Sequence, residues 1–224
     1  MNKIGFENYK EKAETRIKDL RAENKIIYKL LHISKNIKSS IGLEDTLNNL
    51  LLSGLEVVHA NVGAILLYNE VSHELKLNVS IGLPKELEDK INQGDDKKFF
   101  RAVYDQKVPY LYNKGDDKNH HPFHLNEEND ILNHSFISIP LNSTKSKVLG
   151  IIYLSHPKEN EHFSDKEFGI GMALASQATI AIENYELYQR INSFTYQTIL
   201  ALSKAIESKD PYTEGHCERV TQYA

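Results

Sequence analysis

Two long stretches free of helix breakers bracket everything else in this chain. Residues 6–38 contain neither Pro nor Gly, and residues 164–209 contain no Pro and only Gly169 and Gly171, both early. Gly and Pro are the strongest local punctuation, so each stretch can run as one helix, the second for about 65 Å at 1.5 Å per residue. In the first, Ala13, Ile17, Leu20, Asn24, Ile27, Leu31 and Ser34 recur at alternating spacings of four and three, a heptad seam. Assigning Ile17, Asn24 and Leu31 to the a positions places a polar Asn where it fixes the register of a two-stranded coil at some loss of stability. A homodimer is therefore expected. Ile26, Leu30, Ile33 and Ile37 form a second stripe that would let the same helix cover a core of its own. The second stretch repeats the pattern through Ile180, Asn184, Leu187, Ile191, Phe194, Thr198, Ala201 and Ala205, as a connector between domains would.

Between these stretches the pattern is that of a small sheet domain. Leu47, Leu50, Leu51, Leu55 and Val58 lie at helical spacing over residues 43–59, with Glu44 and Asp45 near the start, where the helix dipole favours anions. Strand character follows at 62–68, 74–80, 108–112, 135–141 and 148–155, interrupted by short helices near 84–91 and 97–106. Turn residues at 69–73 and 142–147 predict hairpins and hence antiparallel neighbours. The expected class is α+β, with helices gathered on one sheet of about five strands. Residues 113–133 are polar and longer than the roughly 12 to 15 residues of ordinary structureless loops, which makes them a candidate lid. His120, His121, His124 and His134 raise the question of a metal or haem. Pro122 keeps the first three off a single helix face, and a solvated polar loop is the expectation.

Composition removes several alternatives. With 40% hydrophobic and 26% charged residues, 11 Gly and 6 Pro, the chain is neither disordered nor collagen-like. Its longest apolar runs, at 64–68 and 151–154, fall far short of the roughly 20 residues that span a bilayer, and no secretory signal is recognisable. A cytoplasmic location is expected. The single cysteine, Cys217, excludes an internal disulfide and any Cys-x-x-Cys site. Residues 1–38 hold 10 Lys and Arg against 5 Asp and Glu, leaving 17 against 26 elsewhere, so a +5 arm precedes a −9 body. Because the basic residues are mostly Lys interleaved with Glu, the solvated face of a helix is favoured over a nucleic-acid contact.

The segments "SFISIPL" (135–141), "VLGIIYLS" (148–155), "HFSDKEF" (162–168) and "MALASQATIAIENYELY" (172–188) resemble the GAF domain, a small-molecule sensory fold of signalling proteins. The resemblance covers roughly residues 41–188. It implies a PAS-like antiparallel sheet of five to six strands with flanking helices, and a division into a coiled-coil helix (1–40), a GAF domain (41–186) and a connector (187–224). It also implies a ligand held between the sheet and its covering helices and loop, around 94–135. Phe99, Phe100, Tyr104, Tyr110, Tyr112 and His134 are the candidates to line or gate that site. No cofactor can be named for it. The cyclic-nucleotide signature is incomplete, since Asn113 and Lys114 occur but Phe163 is followed at the required places by Glu167 and Phe168. The one cysteine lies outside the domain, so neither a covalent bilin nor the thiol chemistry of GAF-fold sulfoxide reductases fits. Independently of the resemblance, Phe163, Ser164 and Glu167 have the spacing of a hydrophobic staple and a capping box opening the last helix.

The final stretch, "LALSKAIESKDPYTEGHCERVTQYA", resembles the opening of the HD-GYP domain, a metal-dependent cyclic-di-GMP phosphodiesterase. Asp210, Tyr212, Thr213, His216, Arg219 and Val220 meet its pattern. The resemblance makes His216 the first metal-ligand histidine of a site that, in a complete domain, would hold iron or manganese. The chain ends before the His-Asp pair, so no complete catalytic set is present, and a truncated domain is expected. The leading expectation is a dimeric sensor controlling such a phosphodiesterase. The alternative is a GAF-fold dimerisation module without ligand, touching nucleic acid through its basic arm.

Overall fold

The computed structural model describes residues 42–93, 97–115, 134–144, 147–156 and 162–207. The seam around Asn24, the imidazoles of His120, His121 and His124, and the motif containing His216 lie outside the described residues. The chain divides into two units, 1–182 and 183–224.

In the first unit, helix α1 (Leu43–Val58) leads into the hairpin of β1 (Val62–Asn69) and β2 (Glu74–Ile81). Helices α2 (Lys85–Gln93) and α3 (Lys97–Gln106) precede the short β3 (Tyr110–Tyr112), the hairpin of β4 (Phe136–Asn142) and β5 (Val148–Ser155), and helix α4 (Asp165–Glu207). The strands form one sheet in the order β2-β1-β5-β4-β3, antiparallel throughout. The expected α+β class and the antiparallel hairpins are what the structure has. At the first hairpin the Asn69 side chain accepts hydrogen bonds from the backbone N–H groups of Val71 (2.8 Å) and Ser72 (3.0 Å), an Asx turn. His73 closes it in the left-handed region.

Strand alternation splits the sheet into two cores. Ile65, Ile137, Ile139, Ile152 and Leu154 face α1 and the first part of α4, through Leu47, Leu51, Leu174, Ala178 and Ile182. Ala64, Leu66, Phe136, Ile151 and Tyr153 face the other way, against Ile91 of α2 and Phe99, Phe100 and Val103 of α3. Central β5 is covered on both faces, and all eight of its residues are buried. This is why it reads as a continuous apolar run rather than an alternating one. Gly54 lets α1 and α4 approach closely, for a Cβ there would stand 2.6 Å from Leu174 Cδ1. Pro140 is tolerated because β3 pairs with Phe136 to Ser138, and beyond Ser138 no strand among the described residues pairs with β4 on that side.

The entry to α4 is built as its spacing predicts. The Glu167 N–H donates to Ser164 Oγ (3.3 Å) and the Ser164 N–H to Glu167 Oε2 (2.8 Å), a reciprocal capping box. In the second unit, the part of α4 from Glu183 onward leaves Leu187, Ile191, Phe194, Ile199 and Leu202 more than half exposed. No helix among the described residues is long and apolar enough to cross a membrane.

Candidate functional site

Where the end of β5 meets the start of β1 and the turn from β2 into α2, a cavity of about 430 Å³ opens between sheet and helix. Its floor is Tyr153 and Ser155, which strand alternation puts on the same face of β5, at 1% and 6% exposure. Val62, Leu83, Pro84 and Leu87 make apolar walls, and Asn61, Glu86, Lys90 and His134 complete the lining. Gly82 shapes the turn. It adopts φ +72, and a Cβ there would collide with the Asn61 carbonyl oxygen. Burial pushes the Tyr153 phenol well above its ordinary pKa, against a smaller opposing effect of its hydrogen bond with Ser155. The floor is therefore a neutral hydroxyl pair at any physiological pH. Glu86 and Lys90, one helical turn apart on α2, are both exposed.

The residues singled out from sequence divide between cavity and core. His134 lines the cavity. Phe99 and Phe100 are buried in the second core, where Phe99 meets Phe136 edge-on at 5.1 Å and Phe100 meets Tyr153 at 5.6 Å. They stand there because α3 turns its one apolar stripe, Phe99, Phe100 and Val103, toward the sheet. Tyr112 packs on Phe136 at 5.3 Å. Tyr104 stacks on Tyr68 at 4.6 Å, with the Arg101 guanidinium over both rings, and desolvation raises its phenol pKa. The Tyr110 hydroxyl donates to Gln106. None of these five aromatics lines the cavity. Tyr153, Ser155, Leu83 and Leu87 were not singled out. Their signal in the sequence was the i, i+2 placement of two hydroxyls in an otherwise apolar strand. Among the described residues, no group of three or more His, Cys, Asp or Glu converges to hold a metal ion.

One residue along the chain from His134 and from Ser155, just outside the ends of β4 and β5, a set of contacts leads to α4. The His156 N–H donates to the Ser135 carbonyl (3.1 Å), and Ser135 Oγ accepts from the Lys114 N–H (3.1 Å). Asn113 clamps Phe163 from both sides: its Nδ2 donates to the Phe163 carbonyl (2.9 Å), and its Oδ1 accepts from the Phe163 N–H (2.8 Å). The Phe163 ring stacks on His156 at 4.2 Å. His134 and Ser155 are thus chain neighbours of the residues that hold the start of the last helix.

A five-stranded antiparallel sheet with helices on both faces and a lined cavity beneath one of them defines an α+β domain of the class expected from the sequence. The chain belongs to the GAF domain family, whose profile matches residues 40–183. Among solved structures, the GAF domain of a phosphoenolpyruvate-protein phosphotransferase from Coxiella burnetii is similar with a TM-score of 0.57 at 20% identity, over 75% of this chain and 98% of that one. The corresponding Acinetobacter domain gives 0.54 at 20% identity, over 72% and 94%. The GAF domain/HD domain protein from Geobacter sulfurreducens gives 0.52 at 16%, over 65% and 94%. At these identities the likeness is one of fold. No curated protein matches the chain.

Proposed function

We propose that the chain is a dimeric small-molecule-sensing module whose α4 passes the state of the cavity to a cyclic-di-GMP phosphodiesterase domain of the HD-GYP type. The observation that carries the sensing half is the contact path from His134 and Ser155, through Ser135, His156 and Asn113, to Phe163 at the mouth of α4. Occupancy changes the output only if the ligand prefers one of two helix arrangements, and this path is where such a preference would be felt. Dimerisation is supported by the apolar surface of the second unit, where Leu187, Ile191 and Phe194 are 53 to 71% exposed. Such residues at heptad-like spacing find cover against a twin helix.

The output half rests on the resemblance of residues 210–220 to the opening of the phosphodiesterase, in keeping with a structural neighbour that pairs a GAF domain with an HD domain by name. A catalytic metal takes about three protein ligands and an open position, a set that His216 and a nearby carboxylate do not complete. The 224-residue chain should therefore leave cyclic-di-GMP intact in the presence of manganese. A longer protein supplying the His-Asp pair should hydrolyse it, and His216→Ala in that protein should lose metal and most of the rate. Turnover by the 224-residue chain that His216→Ala abolishes would refute this placement of the active site. Light scattering at micromolar concentration should give twice the 25.6 kDa chain mass. Joint Ile191→Asp and Phe194→Asp should reduce that mass, and a monomeric parent protein would remove the dimer from the scheme.

A further inference from the structure

On the reading that the cavity is the sensing site, its lining restricts what it can sense. We infer that the ligand is a neutral, ring-bearing molecule that buries an uncharged hydrogen-bonding group against the Tyr153 and Ser155 hydroxyls. The size suits rings: a cavity of about 150 Å³ accommodates a benzene, and this one measures about 430 Å³, room for a fused pair. The walls suit rings as well, because Val62, Leu83, Pro84 and Leu87 offer apolar surface around the Tyr153 ring.

Charge selects against ions at depth. Among the described residues of the lining, the carboxylate and the ammonium group are those of Glu86 and Lys90, both exposed on one face of α2, and His134 is the one imidazole. Among the described residues, the lining contains no arginine. A phosphate or carboxylate pushed to the floor would lose its water and meet two neutral hydroxyls, with no lysine or arginine among the described residues at that depth, which disfavours it strongly. A hydroxyl, carbonyl or ring N–H loses far less and finds both donor and acceptor capacity in the pair.

The experiment uses three ring probes on the 224-residue chain: 2-naphthol, 2-naphthoate and naphthalene, followed by calorimetry and by naphthol fluorescence, which no tryptophan obscures. The expected order is 2-naphthol tightest, with 2-naphthoate at least tenfold weaker. Tyr153→Phe and Ser155→Ala, which remove one hydroxyl each and keep the packing, should each weaken 2-naphthol by up to about tenfold and leave naphthalene unchanged. Leu87→Trp, which fills the cavity, should abolish binding of all three. If 2-naphthoate binds as tightly as 2-naphthol, or if neither hydroxyl variant alters naphthol affinity, the ligand class is wrong while the cavity survives as a site. If none of the probes binds at millimolar concentration, the inference fails together with the sensing reading beneath it.

Discussion

Ser138 sits between Tyr110 and Tyr153 in the strand register and buries its hydroxyl completely, with no hydrogen-bond partner for Oγ. A buried hydroxyl without a partner is worse than a methyl of similar size. Ser138→Ala should therefore raise stability by about 1 kcal/mol in urea unfolding, and a loss of that size would mean that the hydroxyl is in fact satisfied. Asn113 is the opposite case, since its amide serves both backbone groups of Phe163. Asn113→Ala strands a part-buried donor and an acceptor together and should cost about 1 to 3 kcal/mol by the same measurement. The Tyr153 phenol has its pKa raised in the folded state by burial. Its contribution is fully present below the unfolded value of about 10 and is lost as pH rises beyond it, because only the unfolded chain can then release the proton. Stability should thus fall above about pH 10, and Tyr153→Phe should flatten that fall.

At the level of elements, the capping box of α4 satisfies backbone N–H groups that the first turn of the helix would otherwise leave without a partner. Ser164→Ala should lower stability by about 1 kcal/mol, and combining it with Glu167→Ala should add less than the sum of the two, as groups that serve each other do. This cap was legible in advance because it is local: three residues at fixed spacing suffice. The hairpins were legible for the same reason, and β2 because one of its faces is more exposed than the other, so that its apolar residues alternate. One strand is shorter than its sequence pattern suggests. Residues 108–112 shrink to Tyr110–Tyr112, for Pro109 has no N–H to give a ladder. The cavity floor was hidden for a deeper reason. Tyr153 and Ser155 occur in a strand buried on both faces, where an apolar run conceals which side each residue takes. Conversely, the aromatics of α3 stand out in the sequence because they are large, and largeness serves a core as readily as a binding site.

Across the whole molecule, every residue of the two described cores lies between Leu47 and Ile182. A fragment of residues 40–186 should therefore keep a single cooperative melt, followed by circular dichroism, whereas one ending at residue 172 should not. The shorter fragment loses Leu174, Ala175, Ala178, Ala181 and Ile182, which cover one face of the sheet. Failure of the longer fragment to melt cooperatively would show that residues beyond it contribute to the core. The placement of β5 also sets a schedule. It joins two hairpins into one sheet by pairing Val62 with Ser155 and Leu67 with Gly150, contacts that each span more than 80 residues of chain. Such closures are slow, and during synthesis this most apolar strand leaves the ribosome before the α4 turns that shield it. The nascent chain is thus at its most aggregation-prone in the interval between the emergence of residue 155 and that of residue 182, and a chaperone that recognises short apolar strands would find its binding site there.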